Sequence, residues 1–341
     1  MNVLSLFDGI GCTKIALRRA GVQITNYYKS EIDKYTSAVS RYHDDGSDTE
    51  LGDVTKYEDW GFDWSSIDLV VAGFPCQSWS ISGQMLGDKD PRGMLFWTTL
   101  EVISKVMKAN PKAKFLMENV KMKKDFEEYI TYHTTNALGS RRVYKHLINS
   151  SLVSAQNRNR YYWTNIEGIT QPEDKNILLE DILVDGMNKI CAMRGRYDED
   201  KKVVQQMELR KDSKSNTLTT VQKDNYVVTN LSASKARKSY TLTASYNGAV
   251  AWNSCQKKQR TMIPINLSEK VASNVYQGVE YRKLYPIECE RLQTVSDNYT
   301  AKGIFKTKKG LEVKNISNTQ RYKMLGNGFT VDIIAHILKN I

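Results

Sequence analysis

Short apolar runs alternate with amphipathic stretches through the first half of the chain. Residues 3–7, 24–29, 67–72, 113–117, 143–149 and 161–163 form compact apolar or aromatic runs of strand length. Between them, residues 14–20, 34–42, 94–109 and 121–138 read as helices, with Leu95, Val102, Ile103 and Val106 at helical spacing in the third. This alternation predicts an α/β fold built on an open sheet. From about residue 168 it stops. Segments 216–219 and 240–243, Asn-Thr-Leu-Thr and Tyr-Thr-Leu-Thr, resemble each other, and each reads as a β-rich stretch leading into a turn. Periodicity returns at 281–293, and an apolar helix, 330–338, ends the chain.

Charge sharpens this division. The 341 residues carry a net charge of +11. Between Lys201 and Arg260, twelve lysines and arginines face three acids, a net +9 in sixty residues. A basic excess concentrated in one segment suits a polyanion such as nucleic acid. No run approaches a membrane span. The N-terminus has no charged leader or cleavage site, so no secretory signal is expected. Five scattered cysteines suggest no disulfide framework, and a reducing, cytoplasmic setting is expected. The four histidines and five cysteines show no metal-ligand spacing, so no metal is expected.

The candidate chemistry lies where strands end, the edge at which open α/β sheets bind ligands. The run 67–72 stops in Gly73-Phe74-Pro75, which projects Cys76 from the sheet edge. A thiol there is a nucleophile if its thiolate is favoured. The first strand runs into Asp8-Gly9-Ile10-Gly11-Cys12-Thr13, a turn that offers backbone N–H groups at a helix start. Lys14 occupies the position where a dinucleotide fingerprint wants a small residue, which argues against NAD. Glu31, at the end of the second strand, suits ribose hydroxyls, and Ile32 can cover a face of adenine. Asp33 fits a helix N-terminus. Asp53 suits an exocyclic amine or a turn. Residues 79–93, rich in Gly and Ser, read as a lid. Glu118 ends another strand, and Arg158 and Arg160 share a face by their spacing.

In order, Phe7-Asp8-Gly9-Ile10-Gly11, Gly73-Phe74-Pro75-Cys76-Gln77, Glu118-Asn119-Val120, Gln156-Asn157-Arg158-Asn159-Arg160, Glu288-Cys289-Glu290-Arg291-Leu292-Gln293 and Gly326-Asn327 resemble the motif ladder of the DNA cytosine-5 methyltransferases. The resemblance spans nearly the whole chain except about 168–280. It implies a Rossmann-like, S-adenosylmethionine-dependent methyltransferase domain from residues 1–167 plus 281–341. A smaller, β-rich target recognition domain would occupy 168–280.

It also implies roles. Cys76 would add to C6 of cytosine, so that C5 can attack the methyl group of S-adenosylmethionine. Glu118 would bond or protonate N3, Arg160 would hold O2 and a neighbouring phosphate, and Arg158 would support it. Phe7, Gly9, Gly11, Glu31, Ile32, Asp53, Val54, Leu95 and Asn327 would bind the cofactor. The target base would be flipped into the pocket, with the 79–93 loop closing over it and Ser82 helping to fill the gap. Gln77, Ser80, Gln84 and Arg92 would join Ser82 on the DNA, as would Lys235, Arg237 and Lys238 of the basic segment. The C-terminal helix would return beside the first strand.

Three positions depart from the family pattern: Cys12 where Gly is usual, Thr294-Val295-Ser296 where Gly-Phe-Pro is common, and Gly328 where Ser is frequent. The expected partner is double-stranded DNA, bound by a monomer of bacterial or phage type, with or without a separate cognate restriction endonuclease. A tRNA methyltransferase of the same chemistry and a non-catalytic DNA-binding relative are the alternatives.

Overall fold

The computed structural model describes residues 1–75, 94–139, 142–178, 180–182, 184, 189–197, 203–209, 226–229, 274–276 and 279–341. Seven strands form the main sheet: β1 (Asn2–Leu6), β2 (Asn26–Ser30), β3 (Asp48–Glu50), β4 (Leu69–Ala72), β5 (Lys114–Val120), β6 (Tyr144–Asn149) and β7 (Asn159–Thr164), in the order β3-β2-β1-β4-β5-β7-β6. The first five are parallel to one another, whereas β7 runs antiparallel to both β5 and β6. Strand order reverses between β1 and β4, so ligands are expected outside the C-terminal ends of these strands.

Consecutive residues of each central strand are buried on opposite faces. Val3, Val71, Leu116 and Tyr162 enter one core, while Leu4, Val70, Phe115 and Trp163 enter the other. Burial on both faces explains why these strands read as continuous apolar runs. On the first face lie α1 (Cys12–Arg19), α5 (Pro286–Leu292), α6 (Asn318–Asn327) and α7 (Val331–Leu338); on the second lie α3 (Met94–Ala109) and α4 (Lys124–Ala137). The apolar helix α7 packs along α1, with Val3 of β1 in the same core. The chain's end thereby completes the domain begun by its first strand. Residues beyond 168 still belong here, because Ile169, Ile177 and Ile182 pack into the first core. The change in sequence texture thus precedes the change of sheet.

A second, five-stranded antiparallel sheet comprises β8 (Lys189–Tyr197), β9 (Val203–Leu209), β10 (Tyr226–Thr229), β11 (Asn274–Tyr276) and β12 (Val279–Lys283), in the order β11-β12-β10-β8-β9. The paired segments 216–219 and 240–243 lie outside the described residues.

Several expected elements are corrected. Residues 43–50 read as an acidic loop, but residues 48–50 form edge strand β3. A strand is possible there because the buried carboxylate of Asp48 meets two lysines: Lys14 Nζ donates to Oδ1 at 2.5 Å and Lys29 Nζ to Oδ2 at 2.7 Å. Lys14, the residue that broke the dinucleotide pattern, is the anchor of this strand. Beyond Asp53 a 3-10 helix, Val54–Asp59, intervenes before β4. A hairpin absent from the sequence reading, β13 (Lys302–Thr307) and β14 (Gly310–Asn315), packs on α2 (Lys34–Tyr42). There Phe305 meets Tyr35 edge-on and Arg41 Nη1 donates to Ile304 O.

Candidate active site

A cavity of about 290 Å³ opens at the C-terminal ends of β1, β2, β4 and β5. Its walls include Phe7, Gly9, Glu31, Ile32, Asp53, Val54, Leu95, Glu118, Arg158, Arg160 and Asn327, which come from seven separate regions of the sequence. Gly11 is not among the wall residues. It is the left-handed N-cap of α1 (φ 83°) and acts on the cavity through the turn it closes.

That turn is held from behind. Gly9 adopts φ 63°, which glycine takes without strain, whereas Phe7 holds the left-handed φ of 54° that is costly for a residue with a side chain. Asp8, between them, is buried and accepts from the Tyr27 hydroxyl at 2.5 Å, while its own N–H donates to Ser30 O. Burial raises the Asp8 pKa, against the lowering effect of the Tyr27 hydrogen bond.

Glu31 closes the far side. One carboxylate oxygen accepts from Gly9 N at 3.0 Å, and the other from Ile32 N and Asp33 N at 2.9 and 2.8 Å. Burial raises its pKa, whereas these backbone N–H groups oppose the rise. Glu31 therefore ties the first turn to the second and still faces the cavity. Asp33 caps α2 by accepting from Tyr35 N and Thr36 N, as its position suggested. Asp53 accepts from Thr55 N, as its turn reading expects, and it also lines the cavity.

The floor is Glu118 and Arg160. Glu118 lies within β5, just beyond the last pair of the β4–β5 ladder, and not past the strand end. Arg160 lies on β7, opposite Val120, and its Nε approaches Glu118 Oε1 to 3.0 Å. Burial pushes the Glu118 carboxyl up, and Arg160 and Arg158 offset part of that rise. A carboxyl so placed holds a proton to higher pH than an exposed glutamate.

Arg158 lines the cavity with Arg160 and also makes contacts that its spacing did not reveal. It precedes β7 outside the ladder, and its guanidinium donates to Gly326 O at 3.2 Å and Gly328 O at 2.9 Å. It clamps the C-terminal turn that carries Asn327 against the catalytic wall. The two departures Cys12 and Gly328 also meet: a Cβ on Gly328 would lie 3.6 Å from Cys12 Sγ. The thiol thus lies against the space that a side chain at 328 would enter. Burial raises the Cys12 pKa to about 12, so this thiol is inert at neutral pH.

The sequence reading missed other wall residues. Gln320, Lys323 and Met324 of α6 face the cavity, and their i, i+3, i+4 spacing is the signal that was available. Asn119 Nδ2 donates to Phe74 O at 3.2 Å and fastens the segment leading to Cys76. The late motif proves to be scaffold. Glu290 accepts from Asn298 N, Thr300 N and Arg321 Nη2, while Gln293 Nε2 donates to Leu325 O. Cys76, Gln77, Ser80, Ser82, Gln84, Arg92, Lys235, Arg237 and Lys238 lie outside the described residues, as does the 79–93 loop. No helix among the described residues is long and apolar enough to cross a membrane.

Comparison with known proteins agrees with this architecture. The chain is 34% identical to the type II methyltransferase M1.ScrFI of Lactococcus lactis subsp. cremoris over 47% of its own length and 40% of the relative's. It is 32% identical to M.HpaII of Haemophilus parainfluenzae over 52% of each. These matches span about half the length of each relative or less. With the orphan methyltransferase M.SPRI of Bacillus phage SPR, identity is 26% over 100% of this chain and 97% of the relative. The fold resembles that of a mutant DNMT2 of Spodoptera frugiperda (TM-score 0.59, 17% identity, 99% of this chain and 98% of that one). It also resembles the methyltransferase EhMeth of Entamoeba histolytica (TM-score 0.58, 14% identity, 100% and 97%). The family described as C-5 cytosine-specific DNA methylase matches residues 1–341. By that match over its full length, this chain belongs to the C-5 cytosine-specific DNA methylases, a family of enzymes.

Proposed function

We propose that this enzyme transfers the methyl group of S-adenosylmethionine to C5 of a cytosine flipped out of double-stranded DNA. The observation that carries the reading is the Glu118–Arg160 pair on the cavity floor, beside the segment 73–75 that leads into Cys76. The residues present fit S-adenosylmethionine. Ile32 leaves 76% of its surface bare at the cavity, an apolar face that an adenine would cover. Val54 and Leu95 would add apolar contacts, Glu31 would take the ribose hydroxyls, Asp53 the amine, and Asn327 with the Phe7–Gly9 turn the amino-acid end.

The cofactor supplies an electrophilic methyl group. The protein's task is to make C5 nucleophilic. The Cys76 thiolate forms a bond to C6, and the displaced electron pair develops at C5 while Glu118 hydrogen-bonds or protonates N3. Arg160 holds O2 and stabilises the same charge. C5 takes the methyl group as its bond to the cofactor sulfur breaks, with S-adenosylhomocysteine as the leaving group; the C5 proton then leaves to a base, the S–C6 bond breaks and the Cys76 thiolate is regenerated. Arg158 supports this geometry at one remove, through the C-terminal turn.

We assign residues 1–167 plus 281–341 to catalysis and cofactor binding. Residues 168–280 would read the target, although the first part of that segment packs on the catalytic core. Lys235, Arg237 and Lys238 would contact phosphates. Gln77, Ser80, Ser82, Gln84 and Arg92 would contact the site of the flipped base. The enzyme would act as a monomer in a bacterial or phage-infected cell. Duplex oligonucleotides containing 5-fluorocytosine at the target should trap a covalent adduct on the Cys76 peptide, seen by mass spectrometry. Folded, cofactor-bound protein that yields no adduct refutes the mechanism, and methylation of tRNA in preference to duplex DNA would reassign the substrate.

A further inference from the structure

Gly73 is the last residue before the Phe74-Pro75 segment, and the space beside it is taken. A Cβ built on Gly73 would lie 2.6 and 2.7 Å from Cε1 and Cζ of Phe329, and 3.7 Å from Glu118 Oε2. Side-chain carbons do not approach backbone-fixed Cβ atoms so closely, so one of the two groups would have to move. The Phe329 ring thus lies against the bare Cα of Gly73 and beside the proposed proton donor. It is 8% exposed and forms part of the cavity wall.

The ring cannot easily retreat, because its backbone is fixed. Gly328 O accepts from Arg158 Nη2 at 2.9 Å and from Gln293 Nε2 at 3.3 Å. Phe329 O accepts weakly from the Cys12 thiol at 3.9 Å. Thr330 Oγ1 donates to Gln293 Oε1 at 2.9 Å and accepts from Ser150 Oγ at the same distance. Val331 N donates to Gln293 O. On the opposite side, Asn119 holds Phe74 O. Two anchored backbones therefore meet through one aromatic ring and one absent side chain.

The geometry points to Phe329 as a positioning residue for the methyl transfer proposed above: its ring wedges against Gly73 and sets where the segment leading to Cys76 stands relative to Glu118 and the cofactor cavity. The inference rests on that functional reading. Phe329 touches no reacting atom; it acts by fixing the nucleophile's approach, and a displacement of about 1 Å at such a site costs on the order of 10²-fold in rate.

The test is a cycle of wild type, Gly73→Ala, Phe329→Val and the double variant, read as kcat on duplex DNA, S-adenosylmethionine affinity and thermal stability. Gly73→Ala should lower kcat about 10²-fold and leave cofactor affinity within about threefold, because Glu31, Asp53 and Leu95 are untouched. Phe329→Val should lower kcat as well, through the void beside Glu118. The double variant should recover most of the Gly73→Ala loss, since valine leaves room for the new methyl group. Wild-type kcat in Gly73→Ala overturns the inference. So do kcat losses that simply multiply in the double variant. If Gly73→Ala does not fold, Phe329→Val with unchanged kcat and a normal melting temperature overturns it too. Wild-type protein without methyltransferase activity on DNA would instead refute the functional reading. The stability values alone would then still report whether the two positions are coupled.

Discussion

Arg160 Nε lies 3.0 Å from Glu118 Oε1, across two antiparallel strands whose register sets Glu118 opposite Tyr162 and Arg160 opposite Val120. The pair is therefore a diagonal contact on one face of the sheet, a relationship that side chains of this length span readily. Both groups are largely buried at the floor of the cavity. The guanidinium keeps the carboxyl from rising as far as burial alone would push it.

That balance predicts a pH signature. The Glu118 pKa is raised, chiefly by burial and despite Arg160 and Arg158. A rate that needs the protonated form is then full below this pKa and is lost as pH rises through it. The kcat profile should show that loss as its alkaline limb. Glu118→Gln keeps a donor but cannot ionise. It should lower kcat about 10²-fold and abolish the alkaline limb. A limb that persists in this variant belongs to another group.

Glu31 should separate binding from chemistry. Its two oxygens already accept three backbone N–H groups, and the proposed ribose contacts add to these. Glu31→Ala should weaken S-adenosylmethionine binding about 10–100-fold, from the loss of charge-assisted hydrogen bonds. Saturated kcat should change much less. Isothermal titration calorimetry reads the first quantity and steady-state kinetics the second. Unchanged affinity would remove Glu31 from the cofactor site.

Arg158 should behave as a structural clamp. Arg158→Ala strips a buried cation from Gly326 O and Gly328 O. Buried carbonyls that lose a donor cost about 1–3 kcal/mol each, which urea unfolding would measure. Arg158→Lys retains the charge but not the fork that spans two carbonyls, so it should recover only part of that stability. An alanine variant of unchanged stability that loses only kcat would return Arg158 to the base.

For the basic segment, neutralising Lys235, Arg237 and Lys238 together should weaken DNA binding alike for all sequences. The slope of log affinity against log salt should fall by about 0.9 for each phosphate that is no longer neutralised. Fluorescence anisotropy at several ionic strengths checks this, and superimposable slopes would place the three residues away from the phosphates.

Much of the fold was legible in the chain. The strands buried on both faces were visible because burial on both sides leaves no polar alternation to confuse the reading. Helices α2 and α3 coincide with their sequence-derived bounds, since each begins and ends where the apolar spacing does. Strand β3 was hidden because its three residues are polar, and Asp48 and Glu50 find their partners away from the strand: Lys14 and Lys29 for Asp48, Arg41 and Lys306 for Glu50. The hairpin of residues 302–315 escaped because its partner is α2, which local periodicity does not reveal.

The sequence by itself determined the chemical inventory: a cysteine after Gly-Phe-Pro, carboxylates at strand ends, two arginines before an aromatic strand, and glycines where the first turn needs left-handed backbone. Such features are local, because residue type and short-range conformation decide them. Only the tertiary structure decided what each group touches. It turned Arg158 toward the C-terminal turn, made the late motif a scaffold through Glu290 and Gln293, and set Phe329 against Gly73. Those outcomes depend on sheet order and on packing between segments hundreds of residues apart, and no spacing along the chain encodes the distance between them.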